Sequence, residues 1–203
     1  MSDTVIAALK LTKRLPAYDA DLAGADAGAL FLAENGLRMK LAIGDFDSVR
    51  KEDLERIRAC ADEMIVLNPI KDDSDSEAII TCLLERGYRR IILTGGTGGR
   101  IDHEYVNLKL TEKYPGTVYL EDEKNRIWTA AEGRHPIRKD HFAYISFFTS
   151  SEACISLEGF RYPLDRRVIT ADDLYTLSNE ICGEEGVLHV HSGSVLVMQC
   201  RDS

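Results

Sequence analysis

The chain has 203 residues, 44% of them hydrophobic, enough for one large domain or two small ones with a real core. Its 25 Lys and Arg against 34 Asp and Glu give a net charge of -9, the wrong sign for gripping nucleic acid or anionic lipid through a general field. No run reaches the roughly 18 apolar residues of a membrane helix, and the start, MSDTVIAALK, lacks the basic head and long apolar stretch of a signal peptide, so a cytoplasmic protein without nucleic-acid or membrane partners is expected.

In chain order, TVIAAL (4–9), MKLAIG (39–44), EMIVLN (63–68) and RIILTGG (90–96) read as buried strands, each apolar run ending in polar or glycine-rich residues. Between them AGALFLAENG (27–36), VRKEDLERIRACA (49–61) and SDSEAIITCLLERG (74–87) carry helical spacing. This rhythm predicts an open, mostly parallel α/β sheet, whose ligands sit at the carboxyl ends of the strands. The character changes after about residue 123: RIWTAA, HFAYISFF, ACISLEGF, GVLHVHSG and SVLVMQC are short, β-branched and aromatic, with turn residues between them. They predict a small C-terminal antiparallel β-sandwich or barrel, and hence an α/β domain over 1–123 followed by a β domain over 124–203. The five cysteines are scattered and show no C-x-x-C spacing, which predicts reduced, mostly buried thiols.

The polar clusters fall just after the predicted strands. GDFDS (44–48) follows the second, KDDSDSE (71–77) the third and GGTGGRIDH (95–103) the fourth. In a parallel sheet these loops share one edge, which would gather Asp45, Asp47, Asp75 and Asp102. Two like charges about 4 Å apart repel by roughly 4 kcal/mol at an effective dielectric near 20, so four ionised carboxylates call for a cation. An all-carboxylate set selects a hard ion, and Mg²⁺ in particular keeps waters and is completed by substrate phosphates. TGGTGGR adds residues able to take positive φ and to turn successive N–H groups toward an anion, with Arg100 placed for a bidentate phosphate contact. A helix beginning near residue 101 adds its dipole. The segment matches neither the Walker loop nor the dinucleotide fingerprint. Each motif also has a plainer reading: GDFDS as a turn, SDSE as a capping box from Ser74 to Glu77, GGTGG as a flexible connection. Their coincidence at one predicted edge favours function.

Taken in order, ADAGA (25–29), GDFDS, KDDSDSEAI (71–79), GGTGGRIDHEYVNL (95–108), LEGFRYPL (157–164) and SNE (178–180) resemble the thiamin pyrophosphokinase family. The resemblance implies transfer of a diphosphate group from ATP to the hydroxyethyl arm of thiamin, giving thiamin diphosphate and AMP. It also implies a homodimer with its active site between subunits, an ATP-binding α/β domain and a thiamin-binding sandwich. Asp45, Asp47, Asp75 and Asp102 look like the Mg²⁺ and catalytic set, and Gly95, Gly96, Thr97, Gly98, Gly99 and Arg100 like the phosphate loop. Asp26, in ADAGA, is a further candidate ATP contact; Lys71 could reach a phosphate or stand solvated at a helix start, and His103, next to Asp102, reads as a phosphate or a structural contact. Tyr162 matches the aromatic position that stacks on the thiamin pyrimidine, and Ser178 with Asn179 the polar motif beside that ring. The chain departs from the family's ADGGA at Ala27 and has tyrosine at 162 where tryptophan is frequent.

Two other readings use the same residues. A magnesium phosphohydrolase would employ the acidic cluster with water as acceptor, without need of GFRYPL and SNE, and a thiamin or nucleotide sensor would bind without turnover. His189 and His191, two apart on one strand face, read as an ordinary polar face lacking a third ligand, and Trp128 as core or interface.

Overall fold

The computed structural model describes residues 2–47, 49–68 and 74–202. Two compact units emerge: the first runs through Leu110 and takes in Leu120–Glu123, and the second takes in Thr111–Tyr119 and the chain from Lys124 onward.

The first unit is an α/β sheet. Its elements are β1 (Thr4–Ala8), β2 (Asp21–Ala25), α1 (Ala27–Glu34), β3 (Met39–Gly44), α2 (Lys51–Cys60), β4 (Ala61–Val66), α3 (Asp75–Glu85) and β5 (Arg90–Thr94). The strand order is β4-β3-β2-β1-β5, with β6 (Val118–Glu121) next to β5. All four pairings from β4 to β5 are parallel, so the loops that leave these strands do emerge along one edge. The apolar runs of β1, β3 and β5 are almost wholly buried, as expected for strands covered on both faces. Helices α1 and α2 close a core of Leu32, Met39, Phe46 and Ile57.

Strand β2 is absent from the sequence-based expectation. Its core part is Ala23, Gly24 and Ala25, small residues with little β propensity. They are small because α1 lies directly over them: a Cβ on Gly24 would come within 2.5 Å of Ala29 Cα.

Helix α4 (Ile101–Lys113) leaves the first unit after Leu110. The second unit is antiparallel. It contains β7 (Asn125–Ala130), β8 (Gly133–Arg138), β9 (Tyr144–Phe148), β10 (Glu152–Glu158), β11 (Leu164–Thr170), β12 (Glu185–Ser192) and β13 (Val195–Cys200). One layer has the order β7-β13-β9 and the other β11-β10-β12-β8. Their inward residues, among them Trp128, Phe147, Ile155, Leu188 and Val197, form one core, which makes the unit a sandwich. Phe147 and Phe160 meet edge to face at 5.4 Å, and the Trp128 indole N–H donates to Gln199 Oε1 at 3.2 Å.

The cysteines correct one expectation. None is in a disulfide, but Cys60, Cys82, Cys154 and Cys200 are half-buried and Cys182 is exposed. Among the described residues no helix is long and apolar enough to cross a membrane.

Candidate active site

The acidic end of the site is built from the loops after β2, β3 and β4. Asp26 follows β2 at φ 47°, a positive-φ conformation sparsely populated by non-glycine residues that costs roughly 1–3 kcal/mol. It precedes α1 without capping it; its Oδ1 instead accepts the Phe46 N–H at 3.3 Å, across the edge of β3. That approach needs Gly44, where a Cβ would fall 1.8 Å from Asp26 Oδ1. Ala27 opens α1 in helical conformation, so the departure from ADGGA introduces no strain there. The following glycine is the indispensable one, since a Cβ on Gly28 would meet Ala8 O at 2.0 Å.

Asp45 Oδ1 accepts the Asp47 N–H at 3.0 Å, an Asx turn that leaves the Asp47 side chain exposed. Ser74 caps α3, its Oγ accepting the Glu77 N–H at 3.2 Å, and thereby sets Asp75 in the first turn. Burial, the Asp75 carboxylate hydrogen-bonded beside it and the charge of Asp45 push the Asp26 carboxyl up to about 6. Asp26 and Asp75 are therefore paired, with Asp45 near enough for its charge to be felt, and Asp47 adjoins Asp45 through its backbone.

Asp102 has different partners. Arg100 holds it with Nε at 3.1 Å and Nη2 at 2.5 Å, and its Oδ1 accepts the His103 N–H at 2.9 Å. The guanidinium keeps the Asp102 carboxyl below its usual range. Lys71 lies outside the described residues. Among the described residues no group of three or more His, Cys, Asp or Glu stands ready to hold a metal ion; Asp26 and Asp75 are a close pair with Asp45 nearby. The crowding fits a cation all the same, because burial and then repulsion hold on the Asp26 carboxyl a proton that a cation would replace. A magnesium ion also needs only one or two carboxylates when phosphates and water complete its shell.

The glycine loop follows β5. Gly95 and Gly98 have φ of 74° and 77°, and a Cβ on Gly95 would sit 2.1 Å from Thr12 N. The loop is tied down by groups that sequence reasoning did not single out. Asn107 Nδ2, buried on α4, donates to Gly96 O at 2.8 Å, the Thr97 hydroxyl donates to Asp122, and Glu104 Oε2 accepts the Gly98 N–H at 3.1 Å. Asn107 was legible in principle, since it lies four residues beyond His103 on a helix whose first turn faces the loop. Asp122 was not, being 25 positions from Thr97.

In the sandwich unit Tyr162 is 58% exposed. Ser178 is exposed at φ 56°, its N–H held by the buried Ser146 hydroxyl at 2.9 Å, whereas Asn179 is 3% exposed. Trp128 is in the core. The His189 and His191 rings lie 4.0 Å apart, and His191 Nε2 is 2.8 Å from Ser156 Oγ.

A parallel α/β unit with acidic loops and a tethered glycine loop at its carboxyl edge, followed by an antiparallel sandwich, is the build of an enzyme that transfers phosphate groups. Two family profiles match in succession: "Thiamin pyrophosphokinase, catalytic domain" over residues 18–120 and "Thiamin pyrophosphokinase, vitamin B1 binding domain" over residues 134–197. The thiamine pyrophosphokinase of Bacillus subtilis (strain 168) is 32% identical over 185 residues, 88% of this chain and 86% of the relative. Thiamine pyrophosphokinase 2 of Arabidopsis thaliana is 26% identical over 82% of this chain and 67% of its own length. The crystal structure of the Bacillus subtilis enzyme superposes with a TM-score of 0.88 at 28% identity, covering 98% of this chain and all (100%) of that one. An Enterococcus faecalis family member superposes with a TM-score of 0.88 at 26% identity over 100% of both chains. The chain belongs to the thiamin pyrophosphokinase family.

Proposed function

We propose that the protein transfers the diphosphate group of ATP to the hydroxyethyl oxygen of thiamin, releasing AMP and thiamin diphosphate, and that it works as a homodimer with Mg²⁺. The observation that carries this reading is the meeting of acidic loops with a tethered glycine loop at one sheet edge, in a chain that continues into the vitamin B1 binding domain.

In the reaction the thiamin hydroxyl oxygen attacks the β-phosphorus. A new O–P bond forms, the bond from that phosphorus to the α–β bridging oxygen breaks, and AMP leaves with the bridging oxygen. The work is positioning and charge neutralisation. The N–H groups of Gly95 to Gly99 and the Arg100 guanidinium hold the phosphates, Arg100 exchanging Asp102 for phosphate oxygens as ATP enters. Glu104 likewise releases the Gly98 N–H. Asp26, Asp45 and Asp75, with Asp47 and Asp102 at their margins, would hold Mg²⁺, which when bound supplies positive charge to the polyphosphate. The hydroxyl proton passes to a carboxylate. Asp47, exposed at the end of its Asx turn, and Asp102, once Arg100 has turned to the phosphates, are the two candidates for this role. Tyr162 stacks on the pyrimidine ring, with the exposed Ser178 as the polar group beside it. The exposed apolar side chains Val168, Leu174, Tyr175 and Leu177 supply the face on which two copies meet.

The test is to incubate the protein with ATP, Mg²⁺ and thiamin and to quantify AMP and thiamin diphosphate chromatographically, with Asp47→Asn as a control that folds but does not turn over. Thiamin-dependent AMP in equal amount with thiamin diphosphate is expected. Inorganic phosphate released without thiamin would mean a hydrolase, and binding of both substrates without AMP a sensor.

A further inference from the structure

Near Tyr162 the sandwich unit contains a ladder that changes its means of pairing after two residues. Phe160 and Ile181 form an antiparallel bridge, and the Arg161 N–H donates to Glu180 O at 2.8 Å. One step further the same ladder would set Tyr162 opposite Asn179. The Asn179 backbone is already committed, however: its N–H donates to Ile145 O at 2.9 Å and its carbonyl accepts the Ile145 N–H at 2.8 Å. The side chain makes the pairing instead. Its Oδ1 accepts the Tyr162 N–H at 3.0 Å, and its Nδ2 donates to Tyr162 O at 2.9 Å. The same Oδ1 accepts the Glu180 N–H at 2.9 Å. Two N–H donors face the oxygen and one carbonyl faces the nitrogen, which fixes the orientation of the amide.

Both acceptor sites and one amide proton of the carboxamide are thus used within the chain, and the residue is 3% exposed. It has no surface to offer a ligand. Tyr162, whose backbone it grips, is 58% exposed.

We propose that Asn179 is a positioning residue: its carboxamide substitutes for a strand, holding the Tyr162 backbone so that the exposed ring is fixed for the thiamin pyrimidine, without touching thiamin itself. This rests on the thiamin reading of Tyr162 given above. The chemistry demands asparagine. The pairing needs an acceptor and a donor side by side on a short arm, the pattern of a peptide unit. Aspartate offers only acceptors and would turn a charged oxygen toward Tyr162 O, alanine offers neither group, and glutamine is a methylene too long. Preorganisation is the benefit, since a ring already held in place loses little freedom on binding.

The experiment is a double-mutant cycle in the full chain. Asn179→Asp, which keeps the size, and Asn179→Ala are each combined with Tyr162→Ala. KM is measured for thiamin and for ATP, and hydrogen exchange is followed for the peptide containing Tyr162. With Tyr162 present, either Asn179 substitution should raise the thiamin KM roughly tenfold, the scale of one lost buried hydrogen bond. The ATP KM should hold within about twofold, and with Tyr162→Ala the further rise in thiamin KM should stay within about twofold. The Tyr162 amide should exchange faster while β10 and β12 keep their protection. The same rise in thiamin KM in both backgrounds would overturn the proposal, because Asn179 would then act independently of Tyr162. So would an unchanged Tyr162 amide, or loss of protection throughout the sandwich. If Tyr162→Ala alone leaves the thiamin KM unchanged, the thiamin role of the ring fails, and amide exchange by itself then upholds or removes the clamp.

Discussion

Asp26 combines a positive-φ backbone, partial burial and two carboxylate neighbours, a concentration of unfavourable terms typical of functional positions. Its folded value of about 6 lies above the ordinary 3.8, so the folded state holds this proton more tightly than the unfolded chain does. The associated stability is fully present below the ordinary value and is lost as pH rises through about 6. Asp26→Asn should therefore raise the melting temperature in Mg²⁺-free buffer at about pH 8 and change it little at about pH 4. Scanning fluorimetry decides this, and a shift equal at both values would mean that ionisation of a buried, crowded Asp26 is not its cause. Arg100 lends itself to the opposite prediction. Its ion pair with Asp102 is exposed on both sides, 74% and 60%, so it adds little stability. Arg100→Ala should leave the melting temperature within about a degree but raise the KM for ATP about tenfold or more. Asp45, Asp47 and Asp75 were legible because a carboxylate at the end of an apolar run is visible in one dimension. Asn107, Asp122 and Ser146 were not, because their role is to hold a backbone that is adjacent only after folding.

At the scale of elements, the start of α3 and the glycine loop carry separate tests. Ser74→Ala removes the cap that sets Asp75, at about 1 kcal/mol; both the loss of stability and a lower kcat should appear in the same protein, and a lower stability with full kcat would detach the cap from the site. In the glycine loop two substitutions should differ. Gly95→Ala combines a positive φ with a contact 2.1 Å from Thr12 backbone, so the loop must move, and several degrees of melting temperature should be lost along with ATP affinity. Gly98→Ala has the same φ problem but open space around it, at roughly 1–2 kcal/mol, and should weaken ATP binding with a smaller thermal shift. Equal thermal losses would show that backbone conformation, not packing, dominates. Two of the strands missing from the sequence reading have physical explanations too. β8, GRHPIR, and β11, LDRRVIT, are the two edges of their sheet. Edge strands carry charge and proline because these discourage pairing with other chains, and the same residues make them read as loops.

For the molecule as a whole, the exposed side chains Leu174 and Leu177, at 69% and 61%, are large apolar groups of the kind that pack between subunits. Light scattering should find about twice the chain mass of 22.7 kDa, and Leu174→Glu with Leu177→Glu should halve it; a monomeric parent protein would remove the homodimer from the proposed function. The sequence by itself determined the two-part build, the succession of parallel α/β elements and antiparallel strands, and the placing of the polar loops at strand ends. Hydrophobic period and strand-end residues are local properties that survive being read along a line. The tertiary structure alone decided that Asp26 belongs with Asp45 and Asp75 while Asp102 pairs with Arg100. It also decided that β2 exists under α1, and that Asn179 faces inward beside an outward Ser178. Those outcomes depend on which groups burial forces to satisfy one another across the fold, and that competition among distant partners leaves no mark in residue order.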